Sequence, residues 1–141
     1  MTLVMVFWTL AVLCCGYGAY FGGREGRRVT ALYLCAVLLT IPAQMLQQSW
    51  GGEIWPVVLV DTLLLAGLYW ISMRTDRFWP LWVTGFHMIT MTAHLAALLA
   101  PTFPARIYFG LTTIWTIPLL LVILVGVTLD RQAGLTDHDT A

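Results

Sequence analysis

Asp61 and His94 are ionisable side chains standing inside long apolar stretches of this chain. A carboxylate beside an imidazole fixes the ring tautomer and leaves a nitrogen that titrates near neutral pH. That is the chemistry of a proton relay or of a protonatable wall in a small-ligand pocket. The structural alternative is a polar clasp between two helices, an ordinary contact in membrane bundles. Asp61 lies six residues beyond Trp55 and His94 seven residues before Pro101. At the helical rise these offsets are depths of about 9 and 10 Å from the same end of a bundle. Gln44, Gln47 and Gln48 share a face by their i, i+3, i+4 spacing. Thr112, Thr113 and Thr116 bring hydroxyls to similar depths on another stretch. The expectation is a polar intramembrane site of Asp61, His94, Gln44, Thr112, Thr113 and Thr116, open to the outer side.

Other candidates are weaker. His87, Met91 and His94 form a stripe, but two turns separate the imidazoles by about 10.5 Å, too far to ligate one iron or copper. The remaining histidine, His138, falls in a polar tail. No cofactor is therefore expected, with haem or metal conceivable only if a second chain supplies a ligand. Cys15, Cys35 and His87 fall at matched depths toward the opposite end, yet cysteines in such stretches behave mostly as small apolar residues. Asp137, His138 and Asp139 read as a solvated tail. There is no HExxH, no Ser–His–Asp set, no paired catalytic carboxylates and no GK[ST] phosphate loop. No catalytic residues and no metal site are assigned.

The elements that must position these residues follow from composition. The chain of 141 residues is 60% hydrophobic and 10% charged, whereas a soluble domain is about a quarter charged. It carries seven Arg and no Lys, balanced by seven acids, so no basic surface points to nucleic acid. Five stretches reach the roughly 20 apolar residues that span a bilayer: Thr2–Phe21, Val29–Gln48, Trp55–Met73, Pro80–Ala100 and Ile107–Leu129. The fold class expected is all-α, an integral membrane bundle of five transmembrane helices. Residues 1–129 form a single domain and 130–141 a disordered cytoplasmic tail. The connections Gly22–Arg28, Ser49–Ile54, Arg74–Trp79 and Pro101–Arg106 have the length of helix-hairpin loops, so neighbours should pack antiparallel.

Arginine placement sets orientation. Arg24, Arg27, Arg28, Arg74, Arg77 and Arg131 fall on one side of a five-span chain and Arg106 alone on the other. The N-terminus is expected outside and the C-terminus in the cytoplasm. Trp50 and Trp55 flank the outer loop, and Tyr20, Phe78, Trp79 and Trp82 flank the inner ones. The arginines of Gly22–Arg28 suit anionic lipid headgroups. Three cysteines, none in a CxxC, make no disulfide framework. The first helix, with no preceding Lys or Arg and no cleavage pattern, is expected to stay.

Ala11, Cys15, Gly18, Ala19 and Gly22 predict a thin helix-packing face, internal or to another chain. Pro42 and Pro118 interrupt two helices, with Thr40 and Thr116 placed to satisfy the carbonyls they free.

The stretch Arg74–Thr75–Asp76–Arg77–Phe78–Trp79–Pro80–Leu81–Trp82, followed by Thr84–Gly85–Phe86–His87 and Thr92–Ala93–His94–Leu95, resembles a pattern in small uncharacterised multi-pass inner-membrane proteins of alphaproteobacteria. The resemblance implies a bacterial cytoplasmic (inner) membrane and no particular activity. The first functional expectation is an accessory or interaction subunit without catalytic activity, contacting lipid and either itself as a homo-oligomer or a larger membrane complex. The alternative is a proton-linked or small-ligand-binding channel or carrier built on Asp61 and His94.

Overall fold

The computed structural model describes residues 2–49, 54–100, 102 and 104–135, without the side chains of 2–4, 47–49, 105 and 106. The described residues form five helices and no strand: α1 (Thr2–Phe21), α2 (Gly23–Ser49), α3 (Trp55–Ser72), α4 (Trp79–Leu99) and α5 (Ala105–Gln132). Four of them contain stretches long and apolar enough to cross a membrane: Gly23–Leu46, Trp55–Ser72, Trp79–Leu99 and Ile107–Gln132. The described apolar part of α1, Met5–Phe21, is shorter.

Local sequence explains most boundaries. Pro56 and Pro80 sit in the first turns of α3 and α4, where a missing N–H costs nothing and the fixed φ suits a helix. Gly134, at φ +68°, closes α5 in the left-handed region that favours glycine. One connection differs from expectation. Residues Gly23–Arg28 are not a loop but the first turns of α2, and the chain reverses at Gly22 and Gly23, the latter at φ +56°. The backbone bonds Gly22 N–H to Gly18 O and Gly26 N–H to Gly22 O carry the ladder through this corner, so the arginines extend a helix. Glu25, in the first turn of α2, is buried and pairs with Arg24 and Arg28 at 3.5 and 3.1 Å. The tail also starts later than expected: α5 continues through Asp130, Arg131 and Gln132. The triplet Asp137–His138–Asp139, like Trp50, Glu53 and Pro101, lies outside the described residues.

Each helix packs on the next, and α5 returns against α1, so the bundle is a closed ring with only slight contact between α2 and α5 across it. Arg131 at the end of α5 lies 4.3 Å over the ring of Phe21 at the end of α1. Arg77, in the α3–α4 turn, reaches Asp130 at 3.9 Å and donates to the Leu135 carbonyl at 2.9 Å. Both corners and the end of α5 therefore share one end of the bundle, here the arginine end. This makes α1 parallel to α5 and every other neighbouring pair antiparallel.

The half toward the arginine end is mostly apolar, although it too holds a buried hydroxyl without a partner, Thr30 Oγ1. Leu68, Val83, Ile123, Val127 and Val29 are fully enclosed, joined by Cys14 and Cys15 from α1. One feature of the expected α1 face is refined. Ala11, Cys15, Gly18 and Gly22 are buried, but Ala19 is exposed. A strict four-residue row drifts around a helix of 3.6 residues per turn, and the i+3 step from Cys15 to Gly18 brings the row back. The threonines before the prolines also act differently. Thr40 donates to Ala36 O at 2.8 Å and Thr116 to Thr112 O at 2.8 Å, each one turn back, rather than to the carbonyls freed by Pro42 and Pro118.

Trp79 and Gly126 make the closest α4–α5 approach, since a Cβ built on Gly126 would run into the indole. The same indole donates through Nε1 to Asp130 Oδ2 at 2.8 Å. We expect Gly126→Val to lower stability in detergent by about 1–3 kcal/mol through overpacking. Gly85→Ala, whose Cβ would meet nothing within 4 Å, should stay within about 0.5 kcal/mol. Thermal unfolding of both variants checks this, and equal stabilities would refute the close seam.

Candidate functional site

The half of the bundle away from the arginine end is built on polar side chains at helical spacing. On α4, Pro80, Thr84, His87, Thr90 and His94 are all buried, a row of three- and four-residue steps that faces inward. On α5, Tyr108, Thr112, Thr116 and Leu119 repeat the step. On α2, Tyr33, Ala36, Thr40 and Gln44 do the same, and α3 contributes Val57, Asp61 and Leu64. These four faces, closed by Phe7 and Trp8 of α1, enclose a cavity of about 340 Å³. Leu64 and Leu119 belong both to its lining and to the apolar core, so they form its floor.

Asp61 and His94 meet inside it. His94 Nε2 lies 2.6 Å from Asp61 Oδ2, with the imidazole side chain 2% and the carboxylate side chain 19% exposed. An ionised carboxylate only accepts, so Nε2–H donates and the lone pair of the neutral ring sits on Nδ1. The Tyr108 hydroxyl is 2.8 Å from that nitrogen and donates to it. The rings of His94 and Tyr108 stand edge to face at 5.5 Å. Asp61, His94 and Tyr108 are therefore one hydrogen-bonded chain through α3, α4 and α5. Within it the tautomer is assigned by the network, since each group has one consistent role.

His87, set apart from Asp61 by the depth argument, belongs to the same site. Its Nε2 donates to the Asp61 backbone carbonyl at 2.9 Å. The carbonyl points along α3 toward the arginine end, the side on which His87 lies, and a carbonyl has two lone pairs to share. The α4 stripe also runs through Thr90 rather than Met91, which is only partly buried.

Gln44, Thr112, Thr113 and Thr116 all line the cavity. The side chains of Gln47 and Gln48 lie outside the described residues. Thr112 and Thr116 direct their protons to carbonyls of their own helix, at 3.1 Å to Tyr108 O and 2.8 Å to Thr112 O. Their remaining lone pairs make them acceptors rather than donors toward the cavity. Thr90 Oγ1 is buried with no hydrogen-bond partner. A buried hydroxyl left unpaired costs about 1–3 kcal/mol, so such an atom marks a place for a water or ligand.

Sequence reasoning missed Tyr108, Tyr33, Thr90 and Thr40. The repeated i, i+3, i+7 step of His87, Thr90 and His94 carried a signal for Thr90. Nothing in the chain marked Tyr108, since its hydroxyl reaches the imidazole across a helix gap. Cys35 is exposed while Cys15 is buried, so these thiols do not share a face with His87. No group of three or more His, Cys, Asp or Glu suited to a metal ion occurs among the described residues. Comparison with protein-family models, curated proteins and solved structures finds no match to this chain.

Because His94 bridges its two partners, their loss should not add. We expect Asp61→Asn and Tyr108→Phe each to destabilise the protein, and the double variant to deviate from the sum by about 0.5–3 kcal/mol. Denaturation in detergent of the four proteins of the cycle measures this. Strict additivity would mean that the chain does not act as a unit.

Proposed function

We propose that this protein is an integral protein of the bacterial cytoplasmic membrane, crossing five times with its N-terminus outside, and that its outer half binds a small ligand beside an exchangeable proton. The membrane reading is supported by the exposed Leu38, Leu63, Trp70, Trp82 and Leu95 around the ring, a surface that suits lipid and not water. Orientation rests on the arginines gathered at one end. The bacterial setting is what the resemblance over the third and fourth helices implies.

The observation that carries the functional reading is the chain Asp61–His94–Tyr108 standing in the wall of a cavity that also contains the unpartnered Thr90 hydroxyl. A clasp alone needs no space beside it. Chemically the wall has two states. With Asp61 ionised and His94 neutral it carries one negative charge. A proton taken up at Nδ1 makes an imidazolium beside the carboxylate, cancels that charge, and turns the Tyr108 hydroxyl from donor to acceptor. The titratable groups facing the pair are Tyr33 from α2, His87 from α4 and Tyr108 from α5. The leucine and valine layer below the floor favours binding over free conduction through one chain.

Access is the discriminating measurement. In a Cys35→Ala background, Thr113→Cys should be modified by a charged methanethiosulfonate added from the outer side, while the buried Cys14 and Cys15 stay unmodified. A Thr113→Cys as inert as those two would favour the accessory subunit held by a dry Asp–His contact. A fluorescent protein fused to the C-terminus should fluoresce, and a periplasmic phosphatase fused there should be inactive. The reverse pattern would overturn the orientation.

A further inference from the structure

We infer that the cavity takes a small primary ammonium cation with an apolar tail; this rests on the ligand-site reading above and names its ligand class. Three observations carry it. First, among the described residues that line the cavity, Asp61 is the one side chain bearing a full charge. An anion would meet a carboxylate in a low-dielectric enclosure with nothing to offset it, whereas a cation neutralises it.

Second, oxygen atoms able to accept are left over, beside the Gln44 amide. His94 occupies Asp61 Oδ2, and Oδ1 has no partner among the described residues. Thr90 Oγ1 is buried and unpartnered. Tyr33, only 4% exposed, makes no hydrogen bond among the described residues, although it lines the same cavity. A carboxylate oxygen and two hydroxyl oxygens, from α3, α4 and α2, are the kind of acceptors that the three N–H donors of a primary ammonium group take up. A hydrogen bond from an ammonium to a carboxylate is about twice as strong as a neutral one.

Third, the rest of the wall is apolar or aromatic: Phe7, Trp8, Val37, Val57 and Phe109 surround the polar set. Aromatic rings receive both an apolar tail and a cation. The volume of about 340 Å³ lies at the small end of ligand pockets. The occupant is therefore a compact amine.

The test uses the full chain in mild detergent, titrated with 2-phenylethylamine, 2-phenylethanol and 3-phenylpropanoate, near-isosteres that are cationic, neutral and anionic. Calorimetry reads binding. The expected result is amine binding about tenfold or more tighter than the alcohol, with no binding of the carboxylate. Asp61→Asn should remove the preference for the amine. Should that variant fail to fold, Thr90→Val serves, because Thr90 Oγ1 holds no protein partner. It should weaken the amine about threefold to tenfold with thermal stability kept or raised, since an unpaired buried hydroxyl is removed. Equal affinities for amine and alcohol would overturn the cation assignment and leave the ligand site standing. No amine binding, with Thr113→Cys still labelled, would overturn the ligand class alone. Absence of both binding and labelling would remove the ligand site as well.

Discussion

The polar half of this bundle depends on how one carboxylate is satisfied. A carboxylate left unpaired among apolar helices is costly to bury, so Asp61 needs partners from neighbouring helices. It takes one through its side chain, His94 at 2.6 Å, and another through its backbone carbonyl, His87 at 2.9 Å. Both come from α4, two turns apart, so a single residue of α3 sets the register between the two helices. Tyr108 then ties α5 to the same point through His94 Nδ1. Three helices are indexed by one acid.

The other half of the ring is held differently. Leu68, Val83, Ile123 and Val127 are fully enclosed and hold it through close packing. Small residues make that packing available: Gly126 admits Trp79, and Gly67 lies against Leu32 where a Cβ would clash. Polar anchors secure the arginine end, with Trp79 and Arg77 both on Asp130 and Thr84 hydrogen-bonded to Ser72 at 2.8 Å. A close-packed, mostly apolar half thus lies below a partly hollow, polar half.

Much of the architecture is legible along the chain because hydrophobic runs of bilayer length leave little choice but helices, and Pro and Gly punctuate them. The run Thr2–Phe21 coincides with α1. Where expectation and structure part, a local backbone preference competed with a charge pattern. Gly23–Arg28 looks like a polar loop, but Glu25 pairs with Arg24 and Arg28, and helix continues through them. Asp130 looks like the start of a solvated tail, but an indole on α4 holds it in α5.

The functional residues divide along the same line. Residue spacing alone determined that Asp61 and His94 stand at matched depth, because rise per residue converts sequence position into height in any straight helix. It also placed Gln44, Thr112, Thr113 and Thr116 near that height. Height says nothing about azimuth or reach. That His94 turns its second nitrogen to Tyr108, that His87 finds a carbonyl rather than a carboxylate, and that Thr90 and Tyr33 are left facing a cavity were decided only by how five helices close into a ring. Those contacts depend on rotation and separation between helices, which no single helix encodes.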